Sequence, residues 1–223
     1  MLTSGSKLGK NLVSKHLLNM GIMKAPNNKR LSAKERKKLV LRSAITAFGK
    51  SNYRATRMAD IAAEAGVCEA MLYKHFESKK VMFLSILENV SQRTATTIGK
   101  GFEEEPDALK LLRRLLIAYY NQIQEHPNLL KLHFQAVSEI DDEEIGGRIK
   151  KDHEVYVHSI KELIKKGIEQ GTVRKDIEID PIAWLFNGIG ILISMMVLLS
   201  REGELKRGIA GKMIDHLIES IRA

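Results

Sequence analysis

The side chains that could do chemistry are concentrated between Thr56 and Lys79. This stretch combines a hydroxyl, a phenol, an imidazole and several cationic groups, all of which can donate hydrogen bonds to anionic oxygens. Glu69 adds a carboxylate that can accept a hydrogen bond from an amino group. The sequence has no nucleophile and base pair, zinc-ligand spacing or glycine-rich phosphate loop, so we expect no enzyme, metal site or cofactor. These residue types instead indicate contact with a polyanion.

Cys68 is the only cysteine in the chain. It excludes an internal disulfide and is typical of a reducing cytoplasm, where we expect the protein to reside. Seven residues of helix would separate Cys68 from His75 by roughly 10 Å, which is too far for proton transfer. A redox-sensing thiol is an alternative, because a helix N-terminus and basic surroundings lower a thiol pKa.

Two short helical segments, at about 56–65 and 69–76, must position these side chains. Gly66 lies between them and can adopt the left-handed conformation that a tight turn requires. This pattern is typical of a helix-turn-helix, in which the start of the second helix meets base edges. The pattern therefore predicts that side chains of this stretch contact a DNA groove.

The rest of the chain also predicts an all-α fold of about nine helices. Ser32 and Glu35 form a capping box that begins the first helix, and Gly49 is expected to end it. Ser78 is expected to cap a helix that ends near residue 98, before Gly101. The remaining helices are predicted at about 107–125, 127–139, 143–170, 181–200 and 204–221.

Positive charge is confined to the N-terminal part of the chain. Residues 1–82 carry 17 Lys and Arg against five Asp and Glu, whereas residues 83–223 carry 19 against 22. Such segregation indicates binding to a polyanion such as DNA. The basic extension at 1–30 is either a flexible arm that adds phosphate contacts, or it includes residues upstream of a natural start at Met20 or Met23.

The segment 56–79 closely resembles the DNA-binding signature of the TetR family of bacterial transcriptional regulators. The matching motifs fall in order within residues 39–88. They are Asp60-Ile61-Ala62, Ala65-Gly66-Val67, Leu72-Tyr73, His75-Phe76 and Ser78-Lys79-Lys80. The resemblance implies a helix-turn-helix domain at 31–82 and a helical ligand-binding and dimerisation domain at 83–223.

Nine residues are candidates for contact with double-stranded operator DNA. Tyr73 and His75 are phosphate contacts by resemblance, although a core tyrosine is the alternative for the first. Lys79 is a phosphate candidate because it lies inside a helix N-terminus. Thr56, as a helix cap, and Arg57 are expected to face the flanking phosphates. The candidates for base reading are Glu69, Ala70, Met71 and Lys74.

Three positions depart from the family pattern. Cys68 stands where a serine or threonine is frequent, so the N-cap of the second helix is weak and costs about 1 kcal/mol. Ala70 and Met71 replace a frequent glycine and a frequent threonine or serine. No operator sequence can therefore be transferred from relatives.

The second domain is expected to enclose a pocket for a small hydrophobic or amphipathic ligand, as the resemblance implies. Low aromatic content and nine methionines are consistent with an adaptable cavity. For each candidate lining residue, plain core packing is the alternative. The candidates are Tyr119, Tyr120, Ile123, His133, Phe134, Trp184 and Asn187.

Residues 182–199 are almost continuously apolar, close to the lower limit for a membrane span. Asp180 and Pro181 predict an N-cap and first turn typical of a soluble helix, so we expect a subunit interface and no membrane. The resemblance implies a homodimer through the helices at about 181–200 and 204–221.

The predicted function is a TetR-like repressor, released from a palindromic operator by its ligand. A nonspecific nucleoid-type DNA-binding protein is the alternative. A small-molecule enzyme or carrier is a third class, for which the sequence offers no catalytic group.

Overall fold

The structure is a computed structural model that describes residues 32–223. Within these residues the chain forms ten helices and no strand, which confirms the all-α prediction. The helices are α1 (Ala33–Lys50), α2 (Met58–Ala65), α3 (Glu69–Tyr73), α4 (Lys79–Glu104), α5 (Ala108–Glu125), α6 (Pro127–Ser138), α7 (Glu143–Glu169), α8 (Ile179–Leu198), α9 (Glu202–Lys206) and α10 (Ile209–Ile221). The extension predicted at 1–30 lies outside the described residues.

Local signals determine where the first helices begin and turn. The Glu35 amide donates to the Ser32 hydroxyl at 3.2 Å and the Ser32 amide donates to the Glu35 carboxylate at 2.8 Å, which confirms the capping box. Gly66 ends α2 with φ of 65°, and its amide donates to the carbonyl oxygens of Ala62 and Ala63. Cys68 is the N-cap of α3 and makes no side-chain capping bond. The weak cap that its side chain predicts is confirmed.

The predicted helix end at Gly49 is one residue early and the predicted break before Gly101 is wrong, because glycine serves close packing at these positions. Gly49 lies within α1, where a Cβ would approach the Asn128 side chain of α6 to 2.5 Å. Gly101 lies within α4, where a Cβ would approach Leu111 of α5 to 2.6 Å. Both helices therefore continue through a residue that the sequence predicts as a break.

The C-terminal helices differ from the prediction in two further ways. The single helix predicted at 204–221 is two helices, because Gly208 adopts a left-handed conformation with φ of 73° between α9 and α10. The N-cap of α8 is Glu178, not Asp180. Asp180 lies in the first turn and forms an ion pair with Lys161 at 2.9 Å.

Residues 37–223 form one compact unit. Its first buried cluster joins the helix-turn-helix to later helices, because Leu132 and Ala136 of α6 and Ile145 of α7 pack with Phe48 and Phe83. A second buried cluster lies among α5, α7, α8 and α10. The domain boundary at residue 82 stays a prediction, since α4 runs continuously across it.

Helix α8 has an apolar face that no described residue covers. Along this face, six positions of α8 and the residue after the helix are exposed to solvent, and they recur at the spacing of three or four residues that one helix face requires. They are Trp184, Leu185, Gly188, Ile191, Leu192, Met195 and Leu199, the last being the residue after the helix. Within the described residues, α8 is the helix whose length and composition would suit a membrane span. Core and interface helices also meet this criterion.

Candidate nucleic-acid interface

Helix α3 is anchored by two buried side chains. Leu72 within the helix and Phe76 just after it are 0% and 2% exposed. Burying these two side chains fixes which face of the short helix remains outside. The opposite face carries the exposed Glu69, Ala70 and Lys74, as predicted for base-reading residues.

The other candidates on this segment are also accessible, to different degrees. Tyr73 is 52% exposed, which excludes the alternative of a core tyrosine. Met71 and His75 are half-buried. All six predicted residues of this segment are thus at least partly accessible, and their contacts with DNA stay predictions.

Thr56, which precedes α2, does not have the role predicted for it. Its side chain is 2% exposed, and its hydroxyl donates to the Asn52 carbonyl at 2.7 Å. The N-cap of α2 is Arg57, so the prediction that Thr56 caps this helix is wrong. A buried hydroxyl that already donates within the protein offers no phosphate contact, and we revise the role of Thr56 to bracing the α1–α2 connection.

Arg57 remains outside and accessible. Its guanidinium donates to the Asp60 carboxylate at 3.1 Å, and this bond raises the arginine pKa and lowers that of Asp60. The nearby Glu69 carboxylate also raises the pKa of Arg57. An exposed guanidinium at the first turn of α2 can exchange this partner for a phosphate oxygen.

The Lys79 ammonium is directed into the protein. It donates to the carbonyl oxygens of Tyr53 at 2.6 Å, Arg54 at 3.0 Å and Thr56 at 2.9 Å. It also lies 4.7 Å from the centre of the Tyr53 ring, and burial lowers its pKa. Since an ammonium has three hydrogens, none is left for phosphate. We therefore revise the role of this side chain to clamping the α1–α2 connection onto α4.

One cation beside α3 was not among the predicted contacts. The Lys37 ammonium of α1 lies 5.2 Å from the centre of the Phe76 ring, which places a positive charge next to the end of α3. Lys37 and Phe76 are far apart in the sequence, so no local pattern links them. Only the general positive charge of the region indicates a role for Lys37.

Ion pairs and hydrogen bonds connect the helix-turn-helix to α6 and α7, and none was predicted. Arg54 donates to both oxygens of Glu139 at 2.7 and 3.0 Å. Lys80 forms ion pairs with Asp142 at 3.5 Å and Glu144 at 2.5 Å. These links could not be predicted because each joins residues more than 60 positions apart.

The predicted ligand-binding residues lie on α5, α6 and α8. Tyr119 makes a 2.6 Å hydrogen bond with Ser194, and the Trp184 ring lies 5.3 Å from the His153 ring. The remaining candidates divide between core and surface. Ile123 and Asn187 are buried, and Phe134 packs against the core. His133 is exposed. The Tyr120 hydroxyl accepts a hydrogen bond from Gln124 at 3.0 Å. Ile123 fits the core-packing alternative.

The fold and the exposed α3 define a class, the helix-turn-helix DNA-binding proteins with an α-helical second domain. Residues 40–86 match the family model of bacterial regulatory proteins of the tetR family. The nucleoid occlusion factor SlmA of Vibrio cholerae is 28% identical over 144 residues, which are 62% of this chain and 70% of that protein. The chain spans 64% of the length of the SlmA proteins of two Aliivibrio fischeri strains.

Solved structures share the whole fold. A TetR-family regulator from Agrobacterium tumefaciens has a TM-score of 0.72 at 18% identity, with 86% of this chain and 100% of that chain covered. The regulator FadR of Bacillus subtilis, solved with stearoyl-CoA, has a TM-score of 0.71 at 14% identity, with 82% and 98% covered. The predicted resemblance to the TetR family is confirmed by the match over residues 40–86 and by the fold that the chain shares with TetR-family regulators.

Proposed function

We propose that this chain is a homodimeric cytoplasmic repressor that leaves a palindromic operator when a small hydrophobic or amphipathic ligand binds its second domain. The observation that carries the DNA-binding part is the presentation of α3. Leu72 and Phe76 are buried, while Glu69, Tyr73 and Lys74 point to solvent. A short helix held in this way can enter a major groove, with base readers at its start and phosphate contacts around it.

The uncovered face of α8 supports a second copy of this chain as the partner. Its apolar positions recur at the spacing of a helix-packing stripe, and Leu185, Ile191 and Leu192 are each half exposed or more. Packing this stripe against the same stripe of a second copy removes the apolar surface of both copies from water. A twofold dimer of this kind would place two α3 helices about 34 to 36 Å apart, as successive major grooves require.

Two features support a ligand-controlled equilibrium. The FadR protein that shares this fold was solved with stearoyl-CoA. In this chain, α6 carries the candidate ligand-binding residues His133 and Phe134, and its C-cap Glu139 is the ion-pair partner of Arg54. A ligand that prefers one position of α6 would therefore shift the position of the helix-turn-helix.

The DNA-binding proposal is tested by selecting fragments of the source genome bound by the full chain. A shared inverted repeat of roughly 20 base pairs is expected, with at least about a thousandfold preference over random duplex. Affinity should fall steeply with salt, because neutralised phosphates release counterions. Equal affinity for random duplex would contradict the proposal.

The similarity to the nucleoid occlusion factor SlmA favours a second candidate, a nonspecific nucleoid-type DNA-binding protein. Removing residues 1–30 separates the two functions. A specific repressor keeps its preference for the inverted repeat without them, whereas a protein that depends on the basic extension loses most of its affinity for any duplex.

Redox control through Cys68 is the remaining alternative. The thiol is exposed at the N-cap of α3, next to the base-reading residues. A Cys68→Ser variant whose operator affinity becomes insensitive to peroxide would favour it. Equal sensitivity of the variant and the parent would exclude it.

A further inference from the structure

The Asp60 carboxylate holds both the main chain and the side chain of Arg57 at the start of α2. Its Oδ2 atom accepts a hydrogen bond from the Arg57 backbone amide at 2.8 Å. The same oxygen accepts from Arg57 Nε at 3.4 Å, and Oδ1 accepts from Nη2 at 3.1 Å. The carboxylate therefore occupies one edge of the planar guanidinium, in a side-on arrangement.

The backbone contact fixes the position of the Asp60 carboxylate. Asp60 is the third residue of α2, and its bond with the amide of the N-cap residue Arg57 is half of a capping box. A negative charge in the first turn is also stabilised by the helix dipole. The carboxylate therefore stays in place whichever partner the Arg57 side chain binds.

Arg57 keeps donors for a second partner while it is bound to Asp60. A guanidinium has five N–H groups, and the contacts with Asp60 use one hydrogen of Nε and one of Nη2. Both hydrogens of Nη1 and the second hydrogen of Nη2 are left, and the planar group directs them away from the edge that Asp60 occupies. The Arg57 side chain is 77% exposed, so these donors are accessible to DNA.

Arg57 lies where the two helices of the helix-turn-helix begin. It is the N-cap of α2, and the carboxylate of Glu69, the first residue of α3, is close enough to raise the pKa of Arg57. Glu69 is exposed and is a candidate for base reading. A cation of fixed direction at this place would influence how α3 is seated in the groove, because phosphate contacts set the register of a protein on the duplex.

Binding Asp60 and a phosphate together is more favourable for Arg57 than exchanging one for the other. If the guanidinium left Asp60, the fixed carboxylate would face the phosphates without a cation, and like charges repel. If Arg57 keeps Asp60 on one edge and binds a phosphate with its free donors, both anions are compensated. The pair is exposed, so the difference corresponds to at most about fivefold in affinity.

We propose that Asp60 is a positioning residue for operator recognition, which directs the free donors of the Arg57 guanidinium to one backbone phosphate of the operator. The proposal rests on the DNA-binding function proposed above and adds a residue that sets its selectivity. A phosphate contact of fixed direction favours one register of α3, whereas a mobile arginine attracts any phosphate. Asp60 therefore raises the preference for the operator, while its negative charge lowers the affinity for duplex DNA in general.

Asp60→Asn tests this role, because the asparagine oxygen can still accept from the Arg57 backbone amide while the charge is lost. The full chain is titrated with the inverted repeat selected from the genome and with a random duplex of equal length. We expect the variant to bind the random duplex about twofold more tightly and to prefer the inverted repeat about fivefold less than the parent does. An unchanged preference would overturn the proposal.

Glu64→Gln is the matched control for charge. Glu64 lies one turn after Asp60 on α2 and forms an ion pair with Lys50 of α1 at 2.6 Å. Its replacement also removes one negative charge from α2, so both duplexes should bind more tightly and to the same extent. The preference for the inverted repeat should therefore equal that of the parent. A decrease as large as in Asp60→Asn would assign the effect to charge alone and refute the proposal.

A double-mutant cycle with Arg57→Gln shows whether Asp60 acts through Arg57. In the Arg57→Gln background, Asp60→Asn should leave the preference unchanged, because the guanidinium that Asp60 directs is absent. A purely structural role of Asp60 predicts the same decrease in both backgrounds, together with a lower free energy of unfolding in urea. That result would contradict the assignment.

The preference of the parent protein separates this proposal from the function on which it rests. If the parent prefers the inverted repeat and Asp60→Asn keeps this preference, the role of Asp60 alone is refuted. If the parent binds both duplexes equally, the repressor is refuted, and the role of Asp60 in operator recognition with it.

Discussion

The Arg54 guanidinium makes two hydrogen bonds with the Glu139 carboxylate, at 2.7 and 3.0 Å, across 85 positions of sequence. Arg54 lies in the connection between α1 and α2, and Glu139 is the C-cap of α6. The Lys79 ammonium contacts the Arg54 carbonyl from the other side of the same connection. This short segment is therefore tied to both α4 and α6.

Breaking the Arg54–Glu139 pair should loosen the α1–α2 connection. We expect Glu139→Gln to speed amide hydrogen exchange across residues 51–57 about fivefold, because the segment loses its link to α6. Hydrogen exchange measured by mass spectrometry checks this. The double replacement Arg54→Glu with Glu139→Arg should restore part of the protection.

A control comes from the same region. Glu143 lies in the first turn of α7 and forms no ion pair with a described residue. Glu143→Gln should leave exchange at 51–57 unchanged. If both carboxylate replacements accelerate exchange equally, the bridge to Arg54 does not hold the connection.

Lys79 and Lys74 should differ in what their replacement changes. Lys79→Met removes three charge-assisted hydrogen bonds to backbone carbonyls, so we expect the free energy of unfolding to fall by about 2 kcal/mol. The salt dependence of operator binding should stay the same, since this ammonium makes no phosphate contact. Lys74→Gln should leave stability unchanged and reduce the slope of log affinity against log salt by about one per subunit.

Urea unfolding and binding titrations at several salt concentrations measure these two quantities. A lower salt slope in Lys79→Met with unchanged stability would restore the phosphate role predicted from sequence.

Replacing an apolar residue on the uncovered face of α8 should dissociate the proposed dimer. Ile191 is 50% exposed, and Ile191→Glu would bury a carboxylate against its mate at the twofold interface. Sedimentation should show monomers, and operator affinity should fall about a hundredfold as the two half-sites are no longer bound together. Val137→Glu on α6, where the valine is 43% exposed, is the control and should remain dimeric.

Acid should destabilise the protein partly through His133. Although part of the His133 side chain is exposed, desolvation by the surrounding protein lowers the pKa of its imidazole in the folded state below the ordinary value of 6.5, so the unfolded chain binds the proton more readily. This contribution to stability is present above pH 6.5 and is lost as the pH falls below that value toward the folded-state pKa.

Melting temperatures at pH 7.5 and 5.5 check the role of His133. The decrease in melting temperature on acidification should be smaller in His133→Gln than in the parent. An undiminished decrease in His133→Gln would show that other groups carry the acid sensitivity.

Much of the helix-turn-helix could be predicted because its signals are local. The Ser32 and Glu35 box, the turn at Gly66 and the burial of Leu72 each depend on residues within a few positions of one another. Arg57 and the accessible residues of α3 follow from the same spacing. Phosphate binding by Lys79 was predicted from its charge and its place inside a helix N-terminus, and these carry no information about where an ammonium points.

The sequence by itself determined the all-α class, the helix-turn-helix and the apolar character of α8, because periodicity and capping act within one or two turns of chain. Only the tertiary structure decided that Lys79 binds carbonyls 23 to 26 positions away, that Arg54 reaches Glu139, and that Gly101 continues a helix. These outcomes depend on helices packing side by side, and the distance between two side chains across such a contact leaves no trace in the order of residues along the chain.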